Sequence, residues 1–317
     1  MKKLIAIAGM ALVILSQGCG SSDKSGDELS GDLTLSGAFA LYPMAQQWGE
    51  EFMKLNPKVR IDISAGGAGK GMTDVLSGLV NIGMISREIS PEEKAKGAFG
   101  IPVTRDAVVA IINADNPMLQ VIMNKGLTKE QFKGIFITGA IKTWGELTGD
   151  KTNMDKINVY TRADACGAAD VWAKYLGGKQ ENLQGTGVQG DPGVTEAVKN
   201  DRLGIGFNNI CYAFDSKTKA VNTGIKVVPI DINADKFLSD EETFYVNKDQ
   251  ILKAISENRY PSPPARGLYF VTKGKPTDPL LLAFLNWVLT DGQQFVNTAG
   301  YIPLPKAKID AALNSLK

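Results

Sequence analysis

Val59-Arg-Ile-Asp-Ile-Ser-Ala-Gly-Gly-Ala-Gly-Lys-Gly-Met-Thr-Asp-Val-Leu-Ser-Gly-Leu79 is the stretch that decides the fold. Val59 to Ser64 reads as a strand, and Gly71 to Leu79 has helical spacing opened by glycines. The loop between them, Ala65 to Gly71, exposes several backbone amides at the positive end of a helix dipole, which makes an anion cradle. It lacks the spacing of a nucleotide-binding phosphate loop, and glycine-rich turns also serve simply as tight connections. The same alternation continues outward: Asp32 to Ser36 reads as a strand and Met44 to Leu55 as a helix ending before Asn56-Pro57. Val80 to Ser86, Ala107 to Asn113, Ile157 to Tyr160, Ala168 to Leu176 and Leu203 to Asn208 carry it further. An α/β protein is expected. A second strand-to-helix junction, Thr161-Arg-Ala-Asp-Ala-Cys-Gly-Ala-Ala169, places Arg162 and Asp164 ahead of a small-residue helix start. Two such junctions suggest two lobes facing each other.

Composition narrows the function. With 317 residues, 44% hydrophobic and 22% charged, the chain suffices for one large or two medium globular domains. Lys plus Arg number 35 against 34 for Asp plus Glu, with no run of like charge, which argues against nucleic acid or an anionic membrane surface as the main partner. There is no histidine, which removes the commonest general base, the imidazole metal ligand and the Ser/His and Cys/His pairings together. No enzyme activity, cofactor or metal is expected. No repeat of solenoid period appears, no interior segment is apolar enough to span a membrane, and nothing points to a second copy, so a monomer is expected.

The N-terminus gives the destination. Lys2 and Lys3 precede an apolar stretch, Leu4 to Leu15, too short to cross a bilayer, so residues 1–18 read as a signal peptide. Gly18 before Cys19 resembles a bacterial lipoprotein processing site, with Cys19 as the lipidated first residue, although Ser16 stands where that motif usually has Leu. An ordinary secretory signal with an incidental cysteine is the alternative. Residues 19–32, rich in Ser, Gly and Asp, look like a flexible tether. The two other cysteines, Cys166 and Cys211, could pair in an oxidising compartment, which spacing alone does not decide.

A specific resemblance emerges from blocks in order: Leu35-Ser-Gly-Ala-Phe-Ala-Leu-Tyr-Pro43, the glycine loop, Asn81-Ile-Gly-Met-Ile-Ser-Arg87 and Lys142-Thr-Trp-Gly-Glu146. The second junction, Gly204-Ile-Gly-Phe207, Asp291-Gly-Gln-Gln-Phe-Val and Gly300-Tyr-Ile-Pro303 follow. From Leu33 to Pro305 the chain resembles the PstS-like phosphate-binding proteins of ABC transporters. The resemblance implies a two-lobed periplasmic-binding-protein fold of type II, with mixed sheets flanked by helices and two crossover strands. It places the crossings near Val108 to Asn116 and Ile225 to Ile232, making residues 33–112 and 229–317 a discontinuous first lobe and 113–228 the second. It further implies an exported, periplasmic or cell-surface protein that captures a small oxyanion, phosphate or a related anion, for an ABC permease. The ligand contacts carried over are Ala40, Leu41, Gly67, Ala68, Gly69, Ser86, Arg87, Arg162, Cys166, Gly167 and Ala168.

Those positions depart from the family in one direction. Hydroxyl residues usual in the first block, the glycine loop and the second helix start are replaced by Ala38, Phe39 and Ala40, by Ala68, and by Cys166-Gly167-Ala168. Arg162 and the Ser86-Arg87 pair remain, so two arginines with backbone amides could still hold an oxyanion. The alanines also suit close backbone packing, Phe39 suits a core, and the arginines suit interlobe salt bridges. Asp106 beside Arg105 fits an ion pair as well as a ligand group. Cys166 at a helix start could have a lowered thiol pKa, against a disulfide or a passive role. The missing hydroxyls keep a second functional class open, a protein of this fold that has lost phosphate and serves as a sensor or envelope interaction protein. Finally, Asp231 to Glu242 puts side-chain oxygens at positions one, three, five, nine and twelve of a calcium-loop pattern, with Lys236 where the turn wants Gly. No flanking helix pair is evident, which favours an acidic surface loop.

Overall fold

The computed structural model describes residues 28–317. The expected signal peptide, Cys19 and most of the expected tether lie outside the described residues. Among the described residues there are eleven strands: β1 (Ser30–Gly37), β2 (Lys58–Ala65), β3 (Ile82–Ile85), β4 (Ala98–Asn113), β5 (Leu127–Thr128), β6 (Asn158–Arg162), β7 (Thr186–Val188), β8 (Gly204–Asn209), β9 (Ile225–Val227), β10 (Ile230–Asp231) and β11 (Ala265–Lys273). The strand expected from Asp32 already begins at Ser30 and pairs Ser30 with Lys58, so residues 30–32 belong to the sheet and not to the expected tether.

Nine strands form one mixed sheet in the order β2-β1-β3-β11-β4-β8-β6-β7, with β9 also on β4. β1 runs parallel to β2 and β3, β6 runs parallel to β7 and β8, and the two parallel halves are joined through antiparallel β11 and β4. Helices on the faces cover the strands, as parallel pairing requires.

Apolar burial divides into two cores. The first gathers Leu33, Leu35, Trp48, Ile82, Ile101, Val103, Leu268, Phe270 and Phe284, and the second gathers Ala107, Val109, Ile111, Phe136, Trp172, Phe207, Ile255 and Tyr260. β4 leaves the first core after Val103 and enters the second at Ala107, and β11 makes the reverse passage between Ala265 and Leu268. The crossings therefore lie near Thr104–Asp106 and Arg266–Gly267, not at Val108–Asn116 and Ile225–Ile232. The β-branched run expected to form the second crossing breaks into two short strands. β9 pairs with β4 and β10 with β5, both in the second lobe. Residues 230 to 260 thus pack in the second lobe, where Phe244, Tyr245 and Tyr260 form an aromatic cluster.

Candidate functional site

Two helices begin at the seam between the lobes. The helix Ala68–Ser77 starts after Gly67, whose φ of +91° disfavours any side chain. The helix Gly167–Tyr175 starts after Cys166, whose sulfur accepts from the Ala169 amide at 3.4 Å. The two starts meet: the Gly69 amide donates to the Ala165 carbonyl at 3.0 Å across the seam. A Cβ on Gly67 would lie 2.7 Å from Asp164 Oδ2, and one on Gly167 would collide with the carbonyl and hydroxyl of Ser86. The glycine loop, Ser86 and the second junction, far apart in sequence, therefore form one interlobe surface. Ala40, Leu41, Ala68, Ser86, Cys166 and Ala168 are all buried, Ala40, Leu41 and Ala68 within the first core and Cys166 and Ala168 within the second.

The arginines are committed within their own lobes. Arg87 makes a two-pronged pair with Glu93 at 2.9 and 2.7 Å, in the first lobe. Arg162, with its side chain 2% exposed, donates from Nε and Nη2 to Asp164 at 2.8 and 2.5 Å and from Nη1 to Asp191 at 2.6 Å. Burial works against its charge, yet Asp191 and Asp164 more than offset this and hold the guanidinium above its ordinary range. Neither arginine bridges the lobes by a salt link. Phe39 does the bridging instead: its ring lies 5.4 Å from the Arg162 guanidinium, and its carbonyl accepts from Tyr212 Oη at 3.2 Å.

Behind Arg162 runs a buried polar chain that the sequence did not disclose. Asp191 Oδ1 accepts from Asn209 Nδ2 at 2.5 Å, Asn209 Oδ1 accepts from Arg266, and Arg266 Nε donates to Asp106 Oδ1 at 2.8 Å. Asp106 thus pairs with Arg266 rather than with its neighbour Arg105. Burial raises the Asp106 pKa, and the attraction of Arg266 opposes this without cancelling it. The chain links both crossing strands, through Asp106 on β4 and Arg266 on β11, to the cleft arginine. It holds three carboxyl groups against two guanidinium groups, so the floor of the cleft is not simply cationic. One signal for Asp191 was available: Thr186-Gly-Val-Gln-Gly-Asp-Pro-Gly193 is a third strand-to-helix junction.

The two described cysteines are free. Burial pushes both thiols up to about 12. For Cys166 this outweighs Arg162, which acts in the lowering direction, so the reactive thiol conceivable from its helix-start position is not formed. A thiol reagent at about pH 8 should modify neither Cys166 nor Cys211 in the folded protein and both after denaturation, since only thiolate reacts. Mass spectrometry of the labelled chain would check this, and rapid labelling of native Cys166 would contradict the burial argument.

Gly167→Ala should prop the lobes apart. Its methyl group meets the Ser86 backbone, and such overpacking costs about 1–3 kcal/mol, to be paid only in the closed form. A larger radius of gyration by solution scattering and a loss of ligand affinity of about 5- to 150-fold are expected. An unchanged radius and affinity would mean that the seam yields freely.

Comparison with known proteins gives the family and the fold. The PBP superfamily domain matches residues 22–292. The phosphate-binding protein PstS of Pseudomonas aeruginosa is 30% identical over 309 residues, covering 91% of this chain and 88% of its own. PstS of Bacillus subtilis is 28% identical over 326 residues, covering 99% and 97%. Among solved structures, a Clostridium perfringens protein with bound phosphate superposes with a TM-score of 0.70 at 24% identity, covering 87% of this chain and 100% of that one. The chain belongs to the PBP superfamily, as a PstS-like member with the two-lobed periplasmic-binding-protein fold.

Proposed function

We propose that the protein is an extracytoplasmic solute-binding protein that captures a small oxyanion, phosphate or a close relative, between its lobes and delivers it to an ABC permease. The observation that carries this reading is the convergence of two helix N-termini and the buried Arg162 on one interlobe seam. The names of its relatives support phosphate as the ligand class. The binding step is closure of the lobes about the crossing strands, with the anion favouring the closed form by its differential affinity. Anchoring through a lipidated Cys19 belongs to the same proposal. Cys19→Ser should release the protein from membranes, and unchanged fractionation would refute the anchor.

A second reading is favoured by one observation. Arg162 is held by two carboxylates and covered by Phe39, which suits a cleft that no longer takes phosphate and a role in sensing or envelope interaction. Calorimetry and thermal shift with phosphate, arsenate, sulfate, phosphonates and organic acids separate the two. A true ligand at a hundredfold excess over its Kd stabilises by about 2.7 kcal/mol and must raise the melting temperature. A blank oxyanion series would sink the first reading.

A further inference from the structure

The loop Asp231 to Glu242 contains an oxygen that the fold leaves without a partner. Asp231 closes β10 and is 2% exposed. Its Oδ2 accepts the Lys236 amide from the middle of the loop at 2.9 Å, which holds that edge of the carboxylate against the loop. Its other oxygen, Oδ1, is screened from solvent and has no hydrogen-bond partner among the described residues. A buried carboxylate oxygen with nothing to bind is costly, and native proteins rarely keep one without an ion, proton or water to satisfy it.

The surrounding residues favour an ion. The loop follows the sequence pattern Asp-x-Asn-x-Asp-x-x-x-x-x-x-Glu, which offers Asp231, Asn233, Asp235, the Phe237 carbonyl, Ser239 and Glu242 at positions one, three, five, seven, nine and twelve. These are hard oxygen donors of the kind that calcium takes. Lys236 departs from the pattern in sequence yet adopts its backbone: its φ is +67°, in the region that a glycine at position six normally supplies. Asn233 and Asp235 accept the amides of Asp235 and Phe237 at 3.0 and 2.9 Å, so the first half of the loop is already wound. The second half is not gathered. Among the described residues no three carboxyl or thiol groups stand close enough to grip a metal. Glu242 instead spends its oxygens on the Ile232 amide at 2.8 Å and on the Ser239 amide and hydroxyl at 3.0 and 2.8 Å.

We propose that Asp231 to Glu242 is a calcium site in the second lobe, seeded by the orphan oxygen of Asp231 and completed when Glu242 turns from the loop amides to the cation. The site lies outside the interlobe seam, and it stands whether or not the cleft binds phosphate. Its affinity belongs with extracellular calcium modules, with a Kd of about 0.1–1 mM, because Lys236 adds a positive charge and the loop must close.

The test uses the mature chain stripped with EDTA, titrated with CaCl2 by calorimetry and followed by melting temperature, with MgCl2 as the comparison. Calcium should give one binding event and a rise of several degrees, while magnesium at equal concentration gives little. Asp231→Asn and Glu242→Gln should each abolish the event. Lys236→Gly, an exposed change that suits the positive φ, should tighten calcium binding several-fold. If the orphan oxygen merely carries a proton, Asp231→Asn will leave the fold as stable or more stable, and calcium will have no effect on the unaltered chain or on Lys236→Gly. That result overturns the proposal, as does a calcium response that survives both Asp231→Asn and Glu242→Gln.

Discussion

Arg162→Ala should abolish oxyanion binding and lower the unfolding free energy by about 3–5 kcal/mol, the range for breaking a buried ion pair from one side. The stability loss follows from what remains. Asp164 and Asp191, with side chains 8% and 1% exposed, would face each other with no cation between them. The binding loss follows from the donor inventory. A guanidinium carries five N–H groups, of which Asp164 and Asp191 occupy those in the three contacts described, so the planar fork still has donors for a ligand oxygen. Each hydrogen bond to a charged group contributes about 1.5–3 kcal/mol, so losing two corresponds to roughly 10²- to 10⁴-fold in affinity. Calorimetry at several temperatures below the lowered transition separates the two effects. Arg162→Lys, which keeps the charge but loses the fork, should retain more stability than binding. Undiminished anion binding in Arg162→Ala would show that the residue only neutralises its two aspartates.

The extent to which this site was legible in the sequence follows from the range of the interactions. Period and punctuation are local, so the helices Tyr42–Leu55 and Gly167–Tyr175 and strands β1, β2, β6 and β8 emerge close to where the pattern places them. Block order carried the convergence of the glycine loop, Ser86 and the second junction. The pairs that set the electrostatics are not local. Arg162 reaches Asp191 across 29 residues and Arg266 reaches Asp106 across 160, and a charged residue at either end reads as an ordinary surface charge until the fold brings it inside. The misplaced second crossing has a similar cause. Ile225 to Ile232 has the apolar, β-branched character of a buried strand, and only its partners, β4 and β5, show that it stays in the second lobe. The true crossing is marked by Arg266, a polar residue within a strand, whose significance depends on Asp106 and Asn209.

The combined substitution Ala68→Ser, Cys166→Ser and Ala168→Thr should raise phosphate affinity by about 10- to 10³-fold, taking a net 0.5–1.5 kcal/mol for each hydroxyl that reaches the anion. The three positions are 0%, 5% and 2% exposed and belong to the two helix starts that meet at the seam, so the gain requires hydroxyls added there to reach an anion held by those helix starts. Their burial gives the prediction a second half. Without a ligand, each hydroxyl that finds no partner costs about 1–3 kcal/mol, so the ligand-free protein should melt lower or rest more open. Cys166→Ser is the mildest of the three, because a serine hydroxyl caps the helix start at least as well as the sulfur now accepting the Ala169 amide at 3.4 Å. The expected signature is therefore a pair of opposed movements, a lower melting temperature in buffer and a larger phosphate-induced rise. Phosphate and sulfate should also separate, since added donors and acceptors discriminate a protonated oxyanion from one that carries no proton. A lower ligand-free melting temperature with unchanged affinity would place the three side chains against protein rather than against ligand. It would leave Arg162 and the backbone amides as the whole of the site.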